Sequence, residues 1–171
     1  VTLAEFNALP TAQVESLLMD CCGSPRWAAS VASRRPYANA EALHKGADSL
    51  WWKLERADWL EAFSHHPQIG DKLASGSESA RQWAAGEQAG TRVATDEVKS
   101  RLARANRAYF EKFGYIYIVC ATGKSAEAML AILNQRLQND LPSELSIAAE
   151  QQRLITRIRL DKLLAGEQES S

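Results

Sequence analysis

No apolar stretch of this sequence approaches the roughly 18 to 20 residues a bilayer-spanning helix needs, so no membrane span is expected. Neither sign of charge dominates: 20 Lys and Arg against 21 Asp and Glu leave a formal net charge of -1. The basic excess that phosphate neutralisation demands is missing, which argues against a general nucleic-acid binder. The pair Arg34-Arg35 then reads as solvated surface. Only three cysteines occur, two of them adjacent at Cys21 and Cys22; they make no disulfide framework and fit a reducing cytoplasm. The opening "VTLAEFNALP" lacks the basic region and long apolar run of a signal peptide, and "GEQESS" matches no retention or peroxisomal signal. A Gly-rich phosphate loop, a Gly-x-Ser-x-Gly elbow, a His-Glu-x-x-His pair and cysteines at zinc-finger spacing are also missing. Their absence removes the commonest nucleotide, serine-hydrolase and metal sites, and leaves cofactor-free acid/base chemistry.

What is present is a normal globular mix, 46% hydrophobic and 24% charged over 171 residues, enough for one domain with a real core. Helix signals recur along it. Thr2 and Glu5 have capping-box spacing, Thr11 precedes a helical pattern ending at Gly23, and Ser24-Pro25 reads as an N-cap followed by proline at the first helical position. Arg35-Pro36 ends that helix. Leu43, Ala47, Leu50, Trp51 and Leu54 recur at helical spacing, Trp51-Trp52 reads as core plus flank, and Asp58 is a cap for "WLEAF". "SESARQWAAGEQAG" favours helix to near Gly90, and Thr95 starts another helix with Val98, Leu102, Ala105 and Tyr109 on one face, ending at Gly114. "YIYIVCA" has strand composition but no partner strand, so it is expected as a buried extended connector or the start of a helix. Ser125 caps "AEAMLAILNQRL", and a long helix is predicted from about Glu144 to Leu164. The expectation is an all-α chain: one compact multi-helix domain over 1–171, with short or no β structure.

In "FSHHPQIGDK" two of the three histidines stand side by side before a proline. The residue before proline is pushed out of the α region, so a helix arriving through Leu60 and Phe63 stops near His65. His66 then sits beyond the helix, stiffened by Pro67, with Gly70 letting the chain turn away. That is support for a working side chain, and equally an ordinary helix stop. Adjacent histidines cannot easily aim at one ion, which disfavours a metal site.

Two other positions stand out by their helical neighbours. Glu87 shares a face with Ala80, Trp83 and Ala84, drier than a surface carboxylate usually enjoys, although an exposed glutamate near a frayed helix end is the more ordinary reading of the same pattern. Arg159 lies in the stripe of Ala148, Gln152, Ile155 and Leu163, whereas Arg157 lies with Glu150, Arg153 and Asp161 on a salt-bridged face. A guanidinium in the first stripe wants an anion, either a structural carboxylate or a substrate carboxylate. A non-catalytic helical binding module therefore stands beside an enzyme at this point.

Taken together, "FSHHPQIGDK", "AAGEQAG", "YFEKFGYIYIVCATGKSAEAML" and "ITRIRLDKLL" resemble the 2-oxo-4-hydroxy-4-carboxy-5-ureidoimidazoline (OHCU) decarboxylases. The resemblance runs from about residue 3 to residue 164 and keeps the order and rough spacing of four blocks. It implies an all-α enzyme of purine breakdown that converts OHCU to (S)-allantoin and carbon dioxide without metal or organic cofactor. It further implies His66, Glu87 and Arg159 as catalytic residues. Pro67, Ala84, Gln88, Phe113, Gly114, Ile116, Tyr117 and Ile118 would be the substrate-binding positions. Expected partners are the small-molecule substrate and product, with a homodimer as the alternative to a monomer, and no nucleic acid or membrane. Two positions depart from the family pattern: Ala84 stands where serine is common, and Ile116 where proline is common, restoring a backbone donor.

Overall fold

Capping, more than hydrophobic periodicity, sets where the helices begin. The computed structural model describes residues 1–69 and 77–165, with the main chain alone at Arg92; Gly70 and the closing "GEQESS" lie outside the described residues. Among the described residues there are nine α-helices, one 3-10 helix and no strand. The helices are α1 (Leu3–Ala8), α2 (Thr11–Cys21), α3 (Pro25–Ser33), α4 (Ala40–Trp52), α5 (Arg56–Ser64), α6 (Glu78–Glu87), α7 (Asp96–Phe113), α8 (Ala126–Arg136) and α9 (Leu141–Ala165). The 3-10 helix, Ala89–Val93, follows α6. None of these helices is long and apolar enough to cross a membrane.

The Thr2–Glu5 capping box forms in both directions, and Ser24, Thr95 and Ser125 each accept a backbone N–H at the start of their helices. Other starts differ from expectation. Thr11 lies inside α2, where its hydroxyl accepts from Arg35 Nη2 (3.2 Å). Arg35 itself is not solvated surface: it donates to the Ala32 carbonyl in the last turn of α3 and to the carbonyls of Phe6 and Leu9 at the end of α1. Asp58 sits within the first turn of α5 and reaches back to the Glu55 N–H (3.2 Å), the reciprocal half of a capping box. Helix α9 begins at Leu141 because Asp140 accepts the Ser143 N–H (2.8 Å) and Pro142 is tolerated in a first turn. At the other end of α7, Gly114 adopts the left-handed φ of 83° that only glycine takes without strain.

The chain divides into two compact units. One is formed by Val1–Ala62 with the C-terminal stretch from Arg153, the other by Phe63–Gln152. In the first, α3 packs on α2 and α4 over Phe6, Val14, Leu18, Trp27 and Leu43, all fully buried. Trp27 Nε1 donates to the Ala47 carbonyl (3.0 Å), so its ring enters the core without leaving its polar atom unpaired. Trp51 is core and Trp52 flank, as the sequence suggests. In the second, α7 packs on α8 over Leu102, Tyr109, Met129 and Leu133. Residues 115–121, between α7 and α8, form neither helix nor strand and are buried except at half-buried Ile116, so of the two expectations the connector holds and the start of a helix does not.

Candidate active site

Helix α5 ends at Ser64, and His66 follows in a turn whose N–H bonds the Phe63 carbonyl (3.1 Å). The proline rule thus separates the two histidines: His65 is exposed, while His66 is half-buried. His66 Nε2 lies 2.6 Å from the side-chain oxygen of Gln152 on α9. A carbonyl oxygen only accepts, so in this arrangement Nε2 carries the hydrogen. Three residues on, the Ile69 carbonyl accepts from Asn106 Nδ2 of α7 (3.2 Å). Pro67 and Gln68 are thereby held between two side chains from different helices.

Glu87 is the last residue of α6 and is buried together with Ala84, while Ala80 and Trp83, the rest of the expected face, are half-buried; Gln88, just past the helix end, is buried too. The Gln88 N–H bonds the Ala84 carbonyl, while its own carbonyl accepts from both the N–H (3.0 Å) and the hydroxyl (2.8 Å) of buried Thr91. The chain then tightens into the 3-10 helix instead of continuing as α-helix to Gly90.

The connector is fixed at several points. Tyr115 packs on Phe63, ring centroids 5.3 Å apart, so it adjoins the helix that delivers His66. The Cys120 N–H donates to Gln151 Oε1 (2.8 Å), and Lys124 Nζ donates to the Cys120 carbonyl (2.7 Å). Arg136 donates from Nη1 to the Ile118 carbonyl (2.6 Å) and from Nε to Glu144 Oε1 (2.6 Å). Glu144 also accepts from the Tyr109 hydroxyl (2.5 Å) and Asn139 (3.0 Å). Burial pushes the Tyr109 and Tyr117 phenols well above their usual range, so both stay neutral. Tyr117 is committed to the core, its hydroxyl donating to the Met129 carbonyl (3.0 Å). What Tyr117 and Ile118 offer a ligand is therefore main chain. Phe113 is buried, Gly114 exposed and Ile116 half-buried.

Arg159 belongs to the other unit. It is 6% exposed, and its Nη1 donates to the Asp20 carbonyl (3.1 Å). The neighbouring Cys22 thiol is pushed up to about 12 by burial, with the Ser24 main chain, Thr156 and the Arg159 charge opposing the shift. Arg157 is half-buried and pairs with Glu41 (3.5 Å); Asp161 is taken instead by His44 (2.7 Å) on the same helix as Glu41. Neighbours on one helix face lost to partners on another helix.

Among the described residues His66, Gln88, Glu87 and the connector lie in one compact unit, and no cluster of three or more His, Cys, Asp or Glu side chains has metal-binding geometry. Sequence reasoning missed Asn106, Gln151, Arg136 and Glu144 as the side chains that hold this unit's main chain. Asn106 could have been found, because it shares the apolar stripe of Leu102, Tyr109 and Phe113.

A sequence model of the OHCU decarboxylase family matches residues 7–161. The chain is 35% identical over 147 residues to the uric acid degradation bifunctional protein TTL of Arabidopsis thaliana, covering 85% of this chain but only 45% of that protein. It is 30% identical over 141 residues to the OHCU decarboxylase of Amia calva, covering 82% and 81%. A crystal structure of OHCU decarboxylase in the presence of (S)-allantoin is similar with a TM-score of 0.75 and 32% identity, over 88% of this chain and 98% of that one. A crystal structure of (S)-allantoin synthase, at 20% identity and a TM-score of 0.72 over 95% and 53%, shares the fold. With its four sequence blocks in register, its all-helical fold and a family match spanning nearly its whole length, the chain belongs to the OHCU decarboxylase family.

Proposed function

We propose that this chain catalyses the cofactor-independent decarboxylation of OHCU to (S)-allantoin in urate degradation. The observation that carries the proposal is His66: a half-buried imidazole held on Gln152 just past a helix end, in a family whose members are named for this reaction.

The substrate brings its own electron sink. As the carboxylate leaves as carbon dioxide, the C–C electron pair moves toward the ring imine, whose nitrogen takes up a proton. The hydroxyl then gives up its proton as it becomes a carbonyl, and the carbon bearing the ureido arm takes one on a single face. The protein needs only to orient the carboxylate and to move protons stereospecifically. In this scheme His66 handles the hydroxyl proton or the returning one, and Glu87 orients the imidazole or a urea N–H. Imidazole suits the task because its unperturbed pKa of about 6.5 lies near neutral pH. Gln88 and main-chain groups from Gly114 to Ile118 hold the ureido arm and ring amides, beside Pro67, Ala84 and Phe113. Arg159 supplies the cation for the carboxylate.

We also assign the enzyme to the cytoplasm, which three buried free thiols fit, and expect the two units to unfold together as one domain because α9 contributes to both. Light scattering distinguishes monomer from homodimer. The activity itself is tested by generating the unstable substrate in situ and following optically active allantoin. A rate and enantiomeric excess equal to the spontaneous reaction would reject the assignment, and ammonia release without carbon dioxide would point instead to hydrolysis of a ureido bond.

A further inference from the structure

Gln152 is a fully buried polar residue in mid-helix, with Ala148 and Ala149 fully buried in the preceding turn. An amide placed there without purpose would cost stability, since a hydrocarbon of the same shape fills such a position without desolvating polar atoms. Its oxygen meets His66 Nε2 at 2.6 Å, a short contact that only an N–H donor makes favourably. The adjacent Gln151 is directed differently, accepting the Cys120 N–H. Consecutive residues of one helix thus grip two separate pieces of the candidate site, as their angular offset requires.

Resting on the decarboxylase assignment above, we infer that Gln152 is the positioning residue of His66: it holds the ring and selects the tautomer with hydrogen on Nε2. The lone pair of the neutral ring then lies on Nδ1, the nitrogen that exchanges the proton with substrate, and of the two roles given to Glu87 this arrangement leaves the urea N–H. A neutral amide does this without the charge a carboxylate would bring beside the ring. Gln152 touches no reacting atom in this scheme; its effect passes through His66.

The first test needs neither a variant nor activity. Long-range proton–nitrogen NMR of the 15N-labelled full chain, with His66 assigned by comparison with His66→Gln, should show the ring as the Nε2–H tautomer at neutral pH. An Nδ1–H tautomer or rapid exchange between the two overturns the inference. Kinetics supply the second test. Gln152→Leu fills the same space without an acceptor and should lower kcat about tenfold or more with KM little changed, the signature of positioning lost in the transition state and not in substrate binding. Gln152→Glu keeps the acceptor and should retain the Nε2–H signature. An active wild type with unchanged kcat in Gln152→Leu removes Gln152 from the machinery and leaves the decarboxylase assignment intact. A wild type that does not accelerate the reaction removes the assignment and the catalytic role together, whatever the tautomer.

Discussion

Gly90 approaches the main chain at Lys124 so closely that a Cβ built on it would lie 2.3 Å from the Lys124 carbonyl oxygen and 3.2 Å from the Ser125 Cα. No side chain can rotate away to relieve that clash; two backbone segments must part. The separation would pass directly to Gln88, whose carbonyl is tied to Thr91, and so to Glu87. Gly90→Ala should therefore cost about 1 to 3 kcal/mol, the range for overpacking a tight contact. Catalytic efficiency should fall further than lost folded protein explains. Gly86→Ala is the control, because nothing lies within 4 Å of its added methyl group and alanine favours helix. Thermal midpoints and kcat/KM of the two variants check this, and equal behaviour would contradict it.

The two histidines should have unequal effects. His66→Gln should lower turnover by at least about a hundredfold, the lower end of the general acid/base range. His65 is exposed in the turn, and His65→Gln should keep most activity. Equal losses in two folded variants would mean the wrong imidazole has been chosen. A chelator should leave the wild type unaffected; activity lost to chelation and restored by metal would refute cofactor independence.

Much of this was legible because it is local. Proline after His66, glycine after α7 and hydroxyl residues before α3, α7 and α8 act on their own backbone, so the string of residues contains cause and effect. The partly dry stripe of Arg159 followed from neighbours four residues away, whereas for Glu87 the same kind of neighbours left an exposed helix end as the more ordinary reading, and the structure buries it. What the sequence hid depends on helices meeting. Arg136 and Glu144 lie eight residues apart on different helices, and nothing in their local pattern says that one ends α8 buried while the other begins α9 buried. Arg157 and Asp161 show the converse: correct helical neighbours, each claimed by a partner from α4.

Arg136 and Glu144 form a buried pair that also fixes Ile118 of the connector. Glu144→Gln leaves a buried guanidinium without its counter-charge and should destabilise by about 3 to 5 kcal/mol. Arg136→Met strands the carboxylate and should cost a similar amount. Replacing both with apolar residues should recover a large part of the loss, because no buried charge then remains unmatched. Chemical denaturation of the three variants measures it; a double variant no better than the worse single one would show that the ion pair is irreplaceable as a strut.

Cys22 supplies a pH prediction with a definite sign. Its folded value is raised to about 12 from 9.0, because burial disfavours the thiolate. The stability this represents is fully present below about pH 9 and is lost as pH rises through the interval up to about 12. Native protein should therefore resist alkylation near neutral pH at all three buried cysteines and react only on unfolding. Cys22→Ala should flatten the alkaline fall in thermal midpoint. Rapid alkylation of folded protein at Cys22 would contradict its enclosure.

The two arginines of α9 are two residues apart and should behave as different kinds of residue. Arg157 is partly exposed and meets Glu41 at 3.5 Å; an ion pair of that kind is worth well under about 1 kcal/mol, so Arg157→Ala should keep near-normal kinetics and stability. Arg159 is buried and donates to the Asp20 carbonyl, so Arg159→Ala should destabilise by about 1 to 3 kcal/mol simply by abandoning a buried acceptor. A catalytic role demands more: efficiency per folded molecule should fall by about one to two orders of magnitude, the worth of a charge-assisted hydrogen bond of roughly 1.5 to 3 kcal/mol. Arg159→Lys should recover little, because one point charge on a flexible stem cannot serve a carbonyl and a carboxylate as a planar fork does. Thermal midpoints measured beside kcat/KM separate the two contributions. If Arg159→Ala lowers the midpoint while efficiency per folded molecule is retained, the arginine is an internal strut bonded to Asp20 and leaves the site, with the decarboxylase assignment standing on His66 alone.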